Sequence, residues 1–484
     1  MLNRHLKIKL DQFLDRNALS IIVLSYLFMP YPLRPGSFTL NAFLVFLIGG
    51  YILLSGKGLK ADKTVLLLIG TFVAYNFLFI FNRGFSFSMF RAYAFGLLTF
   101  ISIAVYANQE SINRLFKGLL VWAALSFALT SAQFVGGDFF HVPYYLGYYW
   151  GVKKEALFNF FRISTPLGFN FAKTQFGGQI SFLIPFLTGM WMLPYYKDKI
   201  RWYHIISFAG ILAFPFSRAA WLGAFSAFAV MAFFRFANYG KNILRFTLFF
   251  LMIIFAVRFD IREHKSFDLT VTAPGISIPS YKNSDIINQT VNIGSDISVN
   301  TRAVLMKTGV RIFKAHPLGG GAGFFKEEYG QFRKIEEEGV LEKTATNDLA
   351  DQQQGKKNLS PHVGENSDVQ KSINKNPAIK RKLIDERMTL APHNSYIQIA
   401  TEEGIVGILI FAYLIYKVFR GLYANSLSDK NGYYACVLVG FASLLIYGFF
   451  HEIVPDRMFW IALGLATATF DAGVSAEAKN LEKN

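Results

Sequence analysis

The reactive side chains that stand closest to an apolar run occur in the stretch PHNSYIQIATEEGIVG, residues 392–407. The unperturbed imidazole pKa of about 6.5 makes His393 the natural general base at neutral pH. A structural role is the alternative, because Asn394 or Ser395 can cap the helix that follows and the histidine then only precedes that cap. The pattern therefore offers a proton acceptor at the entrance to an apolar helix without deciding its use.

Two arginines offer a second kind of chemistry, anion binding. Arg218 lies in FPFSRAAWLGAF between two apolar segments, where a charge near lipid persists best if it snorkels or binds an anion. Arg302 stands at the predicted start of a helix, and a guanidinium matches phosphate with a planar fork. Both arginines could also be ordinary surface residues. Glu402 and Glu403 could orient or pair with an arginine, or could simply mark the point where a helix enters lipid.

The composition is that of a membrane protein. The 484 residues are 53% hydrophobic with a mean hydropathy of +0.32, and they include 52 Phe. About 20 apolar residues span the hydrocarbon core of a bilayer, and runs of this kind recur along the chain. We predict an all-α polytopic membrane protein with about twelve transmembrane helices. The predicted segments are 18–33, 39–55, 64–81, 87–107, 115–135, 175–194, 202–216, 219–234, 244–258, 404–420, 432–450 and 457–471.

The net charge of +17 agrees better with membrane topology than with nucleic-acid binding, so we predict no nucleic-acid partner. With the N-terminus in the cytoplasm, the cytoplasmic loops are rich in Lys and Arg, whereas the short outer loops carry about one Arg each, namely Arg34, Arg83, Arg218 and Arg457. Both termini are therefore predicted to be cytoplasmic. The single cysteine, Cys436, lies in an apolar run and is predicted to be a buried thiol.

The predicted domains follow from the segments. Residues 1–258 hold nine transmembrane helices, with an aromatic outer loop at 136–174 that suits either the headgroup layer or a wall for sugar stacking. Residues 259–403 form a large outer loop, and residues 404–484 hold the last three helices and a cytoplasmic tail. Within the large loop, residues 334–387 are polar and lack Phe, Tyr and Trp, which predicts an insertion without chemistry of its own.

The large loop also contains recognisable local elements. LTVTAPGISIPSY alternates weakly like short strands, and NTRAVLMKTGVRIFKA predicts a helix with Asn300 or Thr301 as N-cap. Lys307, Arg311 and Lys314 share one face of that helix, which suits either lipid phosphates or solvent. The glycines of HPLGGGAGFF end it. No spacing typical of a metal site, nucleotide loop or nucleophile elbow occurs.

Three pieces in this order resemble the O-antigen ligase and O-antigen polymerase superfamily. They are SRAAWLG, then R-x8-R-x4-HPLGGGAGFF, then PHNSYIQIATEEGIVGIL, with a looser match at FRISTPLGFNFAK. The resemblance implies a bacterial inner-membrane glycosyltransferase with a GT-C-like helical fold and a large periplasmic loop between the ninth and tenth transmembrane helices. It implies no metal and no other cofactor. The insertion 334–387 departs from the family pattern, because it separates the glycine turn from the histidine.

The resemblance also implies a reaction and its residues. Members take a glycan from undecaprenyl pyrophosphate at the periplasmic face and pass it to a sugar hydroxyl of lipid A–core, in lipopolysaccharide biosynthesis, or to another lipid-linked repeat. The family's two arginines fall on Arg218 and Arg302, as pyrophosphate-binding residues, and its histidine falls on His393, as the catalytic base. A single displacement would invert the anomeric carbon. Possible supporting residues are Asn394, Glu403, Arg311 and Arg162.

Three functions remain to be compared. The HNSY motif and the one large loop late in the chain, 259–403, favour a ligase. The sequence does not separate a ligase from a polymerase of O-antigen, exopolysaccharide or capsule repeats. A polyprenol-glycan flippase or other transporter would place ionisable groups near the middle of the membrane. Here the notable charges cluster toward the outer edge, which favours an enzyme.

Overall fold

The computed structural model describes part of the chain, and every structural statement below refers to that part. The described residues are 4–28, 39–59, 61–83, 87–136, 173–193, 196, 199–214, 217–234, 240–263, 271–273, 276–278, 297–321, 323–326, 328–329, 392–429 and 432–468. Arg162, the insertion 334–387 and most of the aromatic loop 136–174 lie outside them.

The described fold is helical apart from one small hairpin. Its helices are α1 (Arg4–Phe28), α2 (Leu40–Ser55), α3 (Lys63–Arg83), α4 (Phe87–Tyr106), α5 (Gln109–Gly136), α6 (Lys173–Met192), α7 (Trp202–Ala213), α8 (Arg218–Phe234), α9 (Gly240–Glu263), α10 (Ile297–Ala315), α11 (Ser395–Glu402), α12 (Gly404–Ser428), α13 (Tyr433–Tyr447) and α14 (Arg457–Thr467). The hairpin consists of the antiparallel strands β1 (Val271–Ala273) and β2 (Ile276–Ile278).

Each of the twelve predicted apolar segments overlaps a helix, although α1 begins at Arg4, well before the predicted start at residue 18, and this agrees with a membrane protein. Among the described residues, two helical stretches are long and apolar enough to cross a membrane, Gln109–Ala132 and Gly404–Leu427. Other apolar helices are shorter. The 12 residues of α7 rise about 18 Å, well below the roughly 30 Å of a hydrocarbon core. The number of membrane crossings therefore stays a prediction.

The chain divides into two compact units, and the first, the bundle unit, comprises residues 1–267 and 409–484. Helices α6 and α13 pack together at its centre, and α8 packs on both. Small residues permit this contact: a Cβ added at Gly189 of α6 would lie 3.0 Å from the sulfur of Cys436 in α13. The thiol is buried, as the sequence predicted.

A part-buried polar network, the Asp456 cluster, ties helices α1, α2 and α14 of the bundle unit together. The hydroxyl of Tyr26 in α1 donates to Oδ1 of Asp456 at 2.6 Å, and Met458 N donates to the same oxygen at 2.8 Å. Arg457 donates to Thr39 Oγ1 at 2.7 Å and to Asn41 Oδ1 at 2.8 Å. The outer position predicted for Arg457 stays a prediction. Arg457 begins α14, because Asp456 caps that helix.

The second unit, the loop unit, comprises residues 268–408. Its helix α10 packs on α11, and the buried core holds Leu305, Ile312, Phe324, Phe325 and Tyr329. The predicted N-cap at Asn300 or Thr301 is wrong, because α10 already begins at Ile297. The three residues before Asn300 include no Gly or Pro, so nothing in the backbone stops the helix from extending upstream.

Candidate functional site

His393 has the most unusual backbone in the described part of the chain. Its φ is +49°, and it is the one described non-glycine residue with a positive φ. Such a conformation is uncommon for residues with a Cβ and persists where neighbouring contacts impose it. The next residue, Asn394, is extended and caps α11, with Oδ1 accepting from Tyr396 N at 2.9 Å and Ile397 N at 3.0 Å. The cap therefore holds the histidine at the entrance to α11.

Two physical effects act on the imidazole. Burial lowers the pKa of His393 below its ordinary value of 6.5, and the positive charge of Arg302 lowers this pKa further. Both disfavour the imidazolium, so His393 is neutral and able to accept a proton at neutral pH. Arg302 was predicted at the start of its helix, but it is half-buried in the second turn of α10, because α10 begins at Ile297.

Packing of α10 against α11 brings these two residues into electrostatic contact. A Cβ added at Gly309 of α10 would overlap the side chain of Ile397 in α11, so the absence of a side chain permits the close approach. Leu305 and Ile312 face the same core from α10. The close packing of α10 on α11 at Gly309 therefore keeps Arg302 near enough to His393 to act on its charge.

The glycine turn after α10 crosses the start of α12. Gly319 and Gly404 have φ of +78° and +66°, and a Cβ added at Gly319 would lie 2.5 Å from the nitrogen of Gly404. Ile405 N also donates to the carbonyl of Pro317 at 2.8 Å. Only glycine allows both the conformation and the approach, so this crossing fixes the end of α10 against the beginning of α12.

No motif in the sequence indicated that Glu402 would hold this turn. The side chain is buried, and its Oε1 accepts from Gly323 N at 3.0 Å. The backbone carbonyl of Glu402 accepts from Gly321 N at 2.6 Å, and that of Thr401 accepts from Gly320 N at 3.2 Å. We call this set, Glu402 with Gly320, Gly321 and Gly323, the turn clamp. The glycine run is the signal that could have indicated it, since the N–H groups of such a run need acceptors in the protein where the run is buried.

Other predicted supporting residues have different surroundings. Glu403 is also buried and is the C-cap of α11, with its N–H donating to Ile399 O at 2.8 Å. Arg311 lies exposed on α10 beside Lys307 and Lys314, as the spacing predicted.

Arg218 belongs to the bundle unit and begins α8 instead of lying in a turn before it. Its side chain is half-buried. The turn that leads into α8 is closed by Trp221, whose Nε1 donates to Leu212 O at 2.6 Å and whose backbone N donates to Ser217 O at 3.0 Å. The free N–H groups at the start of α8 and the positive charge of Arg218 both favour binding of an anion at this position.

Polar groups surround the start of α8 within the bundle unit. A Cβ added at Gly177 would lie 2.5 Å from the hydroxyl of Tyr447 and 3.0 Å from Ser217 Oγ. The rings of Tyr447 and His451 stack with centroids 4.5 Å apart. The motif SRAAWLG includes Ser217 and Arg218, whereas Gly177, Tyr447 and His451 could not be predicted as their neighbours because they lie far away in sequence.

Comparison with known proteins adds an independent finding. No curated protein matches the chain. Residues 203–345 match the family model described as O-antigen ligase. This range includes Arg218 and Arg302, and its members are membrane-embedded bacterial enzymes of the glycosyltransferase type. The match supports the resemblance to the O-antigen ligase and polymerase superfamily that the sequence predicted, over residues 203–345.

Proposed function

We propose that this protein is an O-antigen ligase-type glycosyltransferase of the bacterial inner membrane. It moves a glycan from undecaprenyl pyrophosphate to an acceptor sugar hydroxyl of lipid A–core, on the periplasmic side, with both termini in the cytoplasm. The observation that carries the proposal is the environment of His393: a strained backbone, burial and the charge of Arg302 favour a neutral imidazole at the entrance to α11. The family match supports glycan-linked lipids as donor and acceptor.

In this scheme His393 is the general base. The acceptor oxygen attacks the anomeric carbon while its proton moves to the neutral imidazole. The bond from that carbon to the pyrophosphate oxygen breaks, and undecaprenyl pyrophosphate leaves with the electron pair. One displacement without a covalent intermediate inverts the anomeric carbon. A positioned base of this kind contributes about 10²–10⁴ in rate.

Arg218 and Arg302 bind the donor pyrophosphate in the same scheme. Negative charge grows on this leaving group as the glycosidic bond breaks, so fixed guanidinium groups stabilise the transition state more than the ground state. Loss of one such donor costs about 3–4 kcal/mol, or roughly 10²–10³ in rate. Both side chains are half-buried, and partial removal of water strengthens their interaction with phosphate.

The arginine roles are tested with Arg218→Lys and Arg302→Lys in the full-length protein, reconstituted with the lipid-linked glycan and lipid A–core. Each should lose most transfer on gels, because a lysine point charge does not reproduce the planar fork. Arg114→Lys is the matched control, since Arg114 pairs with Glu110 on an exposed part of α5. Full transfer by either of the first two variants would remove that arginine from the pyrophosphate site.

The acceptor is tested by deletion of the gene. A ligase leaves lipid-linked polymer that accumulates and never reaches lipid A, whereas a polymerase leaves single repeats. If the deletion leaves single repeats, the acceptor is another lipid-linked repeat and not lipid A–core. The roles of His393 and the two arginines would be unchanged.

A further inference from the structure

The exposed side of α10 combines apolar and basic residues. Met306 is 36% exposed and Val310 43% exposed, and Lys307, Arg311 and Lys314 are exposed beside them. With 3.6 residues per turn, the two apolar side chains fall within about 40° of each other and the three basic ones cover the adjoining arc. We call these five residues the basic–apolar face. Leu305, Thr308 and Ile312 are buried on the opposite side.

The charge of α10 has one sign. Its 19 residues include four basic side chains and no Asp or Glu. A surface helix that only faces water usually mixes both signs, which supports the helix through pairs one turn apart. A helix that carries basic residues beside an apolar stripe is instead typical of segments that lie in the interface of an anionic bilayer.

The end of α10 lies beside the start of a helix long and apolar enough to cross a membrane. Ile405 N, in the first turn of α12, donates to Pro317 O at 2.8 Å. At this junction Leu318 is 67% exposed and Ile405 47% exposed. The stretch Gly404–Leu427 of α12, which is long and apolar enough to cross a membrane, begins here, as expected for a helix that enters lipid at this junction. Lys314 is the next-to-last residue of α10, three residues before Pro317 in sequence.

We propose that the basic–apolar face lies on the bilayer surface and binds anionic phospholipid headgroups. Met306 and Val310 enter the interface between headgroups and acyl chains, and Lys307, Arg311 and Lys314 contact phosphates. Arg302 is on the same helix, so this contact holds it at the depth of the membrane surface. The inference is independent of the proposed reaction, because it depends only on exposure, charge and the junction with α12.

The depth of the face is measured with a spin label in the full-length protein. Cys436 is the only cysteine of the sequence and is buried, so a label attaches to a cysteine introduced at the surface. The labelled variant is Val310→Cys, and the matched control is Ala315→Cys, at the far edge of the exposed arc. In phosphatidylcholine vesicles containing phosphatidylglycerol, the label at 310 should be shielded from a water-soluble paramagnetic reagent and accessible to oxygen. The label at 315 should remain accessible to the water-soluble reagent.

Three outcomes overturn the proposal. Equal water access at 310 and 315 means a solvated face. Shielding at 310 from both the water-soluble reagent and oxygen means that another part of the protein covers it. Shielding that is identical with and without phosphatidylglycerol means that headgroup charge has no role.

The charge contribution is tested separately. A variant with Lys307→Gln, Arg311→Gln and Lys314→Gln should lose the difference between the two lipid compositions. A second variant with Lys307→Arg, Arg311→Lys and Lys314→Arg keeps the charges and should retain that difference. If the neutral variant also retains it, the basic side chains do not bind the headgroups.

Discussion

The His393 region of the loop unit and the Asp456 cluster of the bundle unit are both polar, but they are held in opposite ways. Asp456 accepts from Tyr26 and Met458, and its neighbour Arg457 donates to two side-chain oxygens. His393 has a strained φ, and burial and a nearby positive charge both act on its imidazole. The first arrangement satisfies its polar groups and stabilises the fold, whereas the second maintains strain and a shifted pKa, as functional sites do.

The largest expected effect comes from His393. His393→Ala and His393→Gly should both lose about 10²–10⁴ of transfer, because each removes the base. The glycine variant should be the more stable of the two, by about 1–2 kcal/mol, since a positive φ costs glycine no Cβ contact. Gel assays of transfer and thermal unfolding of the purified variants measure the two effects. Normal transfer at normal protein level in either variant would disprove the proposed base.

The bundle unit should respond in stability. Asp456→Ala removes an N-cap and the acceptor of the Tyr26 hydroxyl, for a loss of about 2–4 kcal/mol in the free energy of unfolding. Asp456→Asn keeps an oxygen in place and should lose less. Thermal unfolding of both variants in detergent measures this. If Asp456→Ala unfolds like the wild-type protein but loses transfer, the cluster is functional and the comparison between the two regions fails.

The turn clamp should show an intermediate effect. Glu402→Ala leaves the N–H of Gly323 without its acceptor, which costs about 1–3 kcal/mol locally, whereas Glu402→Gln retains an amide oxygen there. We expect faster hydrogen exchange across Gly319–Gly323 in the alanine variant than in the glutamine variant. Transfer should fall in the same order, because the clamp holds the end of α10. Equal exchange in both variants would show that the side chain does not hold the turn.

The smallest effect is a shift in pH dependence. The pKa of His393 is lowered and lies below 6.5. Activity should therefore fall only when the pH drops to that pKa, because protonation removes the base. Arg302→Gln removes a nearby positive charge, so this pKa rises and the acid limb of the residual activity moves to higher pH. Lys307→Gln, on the exposed side of the same helix, is the control and should leave the limb in place. An unmoved limb in Arg302→Gln would mean that the two residues are not coupled.

Local features of the chain were predictable from sequence because their causes are local. Apolar runs coincide with helices, Asn394 caps α11 as its side chain allows, and Cys436 is buried in its apolar run. The candidate histidine and arginines were recognised from motifs, and their shared action on one donor stays a prediction. The start of α10 was missed because the cap preference of Asn and Thr is weak where nothing upstream ends the helix.

The tertiary structure decided which polar groups meet. Glu402 bonds to Gly323, 79 residues away in sequence, and Arg457 bonds to Thr39, 418 residues away. No local pattern encodes such partners, because hydrogen bonds between distant segments depend on how helices pack around a common core. By itself the sequence determined where helices form and which side chains can react. The tertiary structure alone showed that Glu402 bonds to the glycine turn, that Arg457 bonds to Thr39 and Asn41, and that His393 has a positive φ.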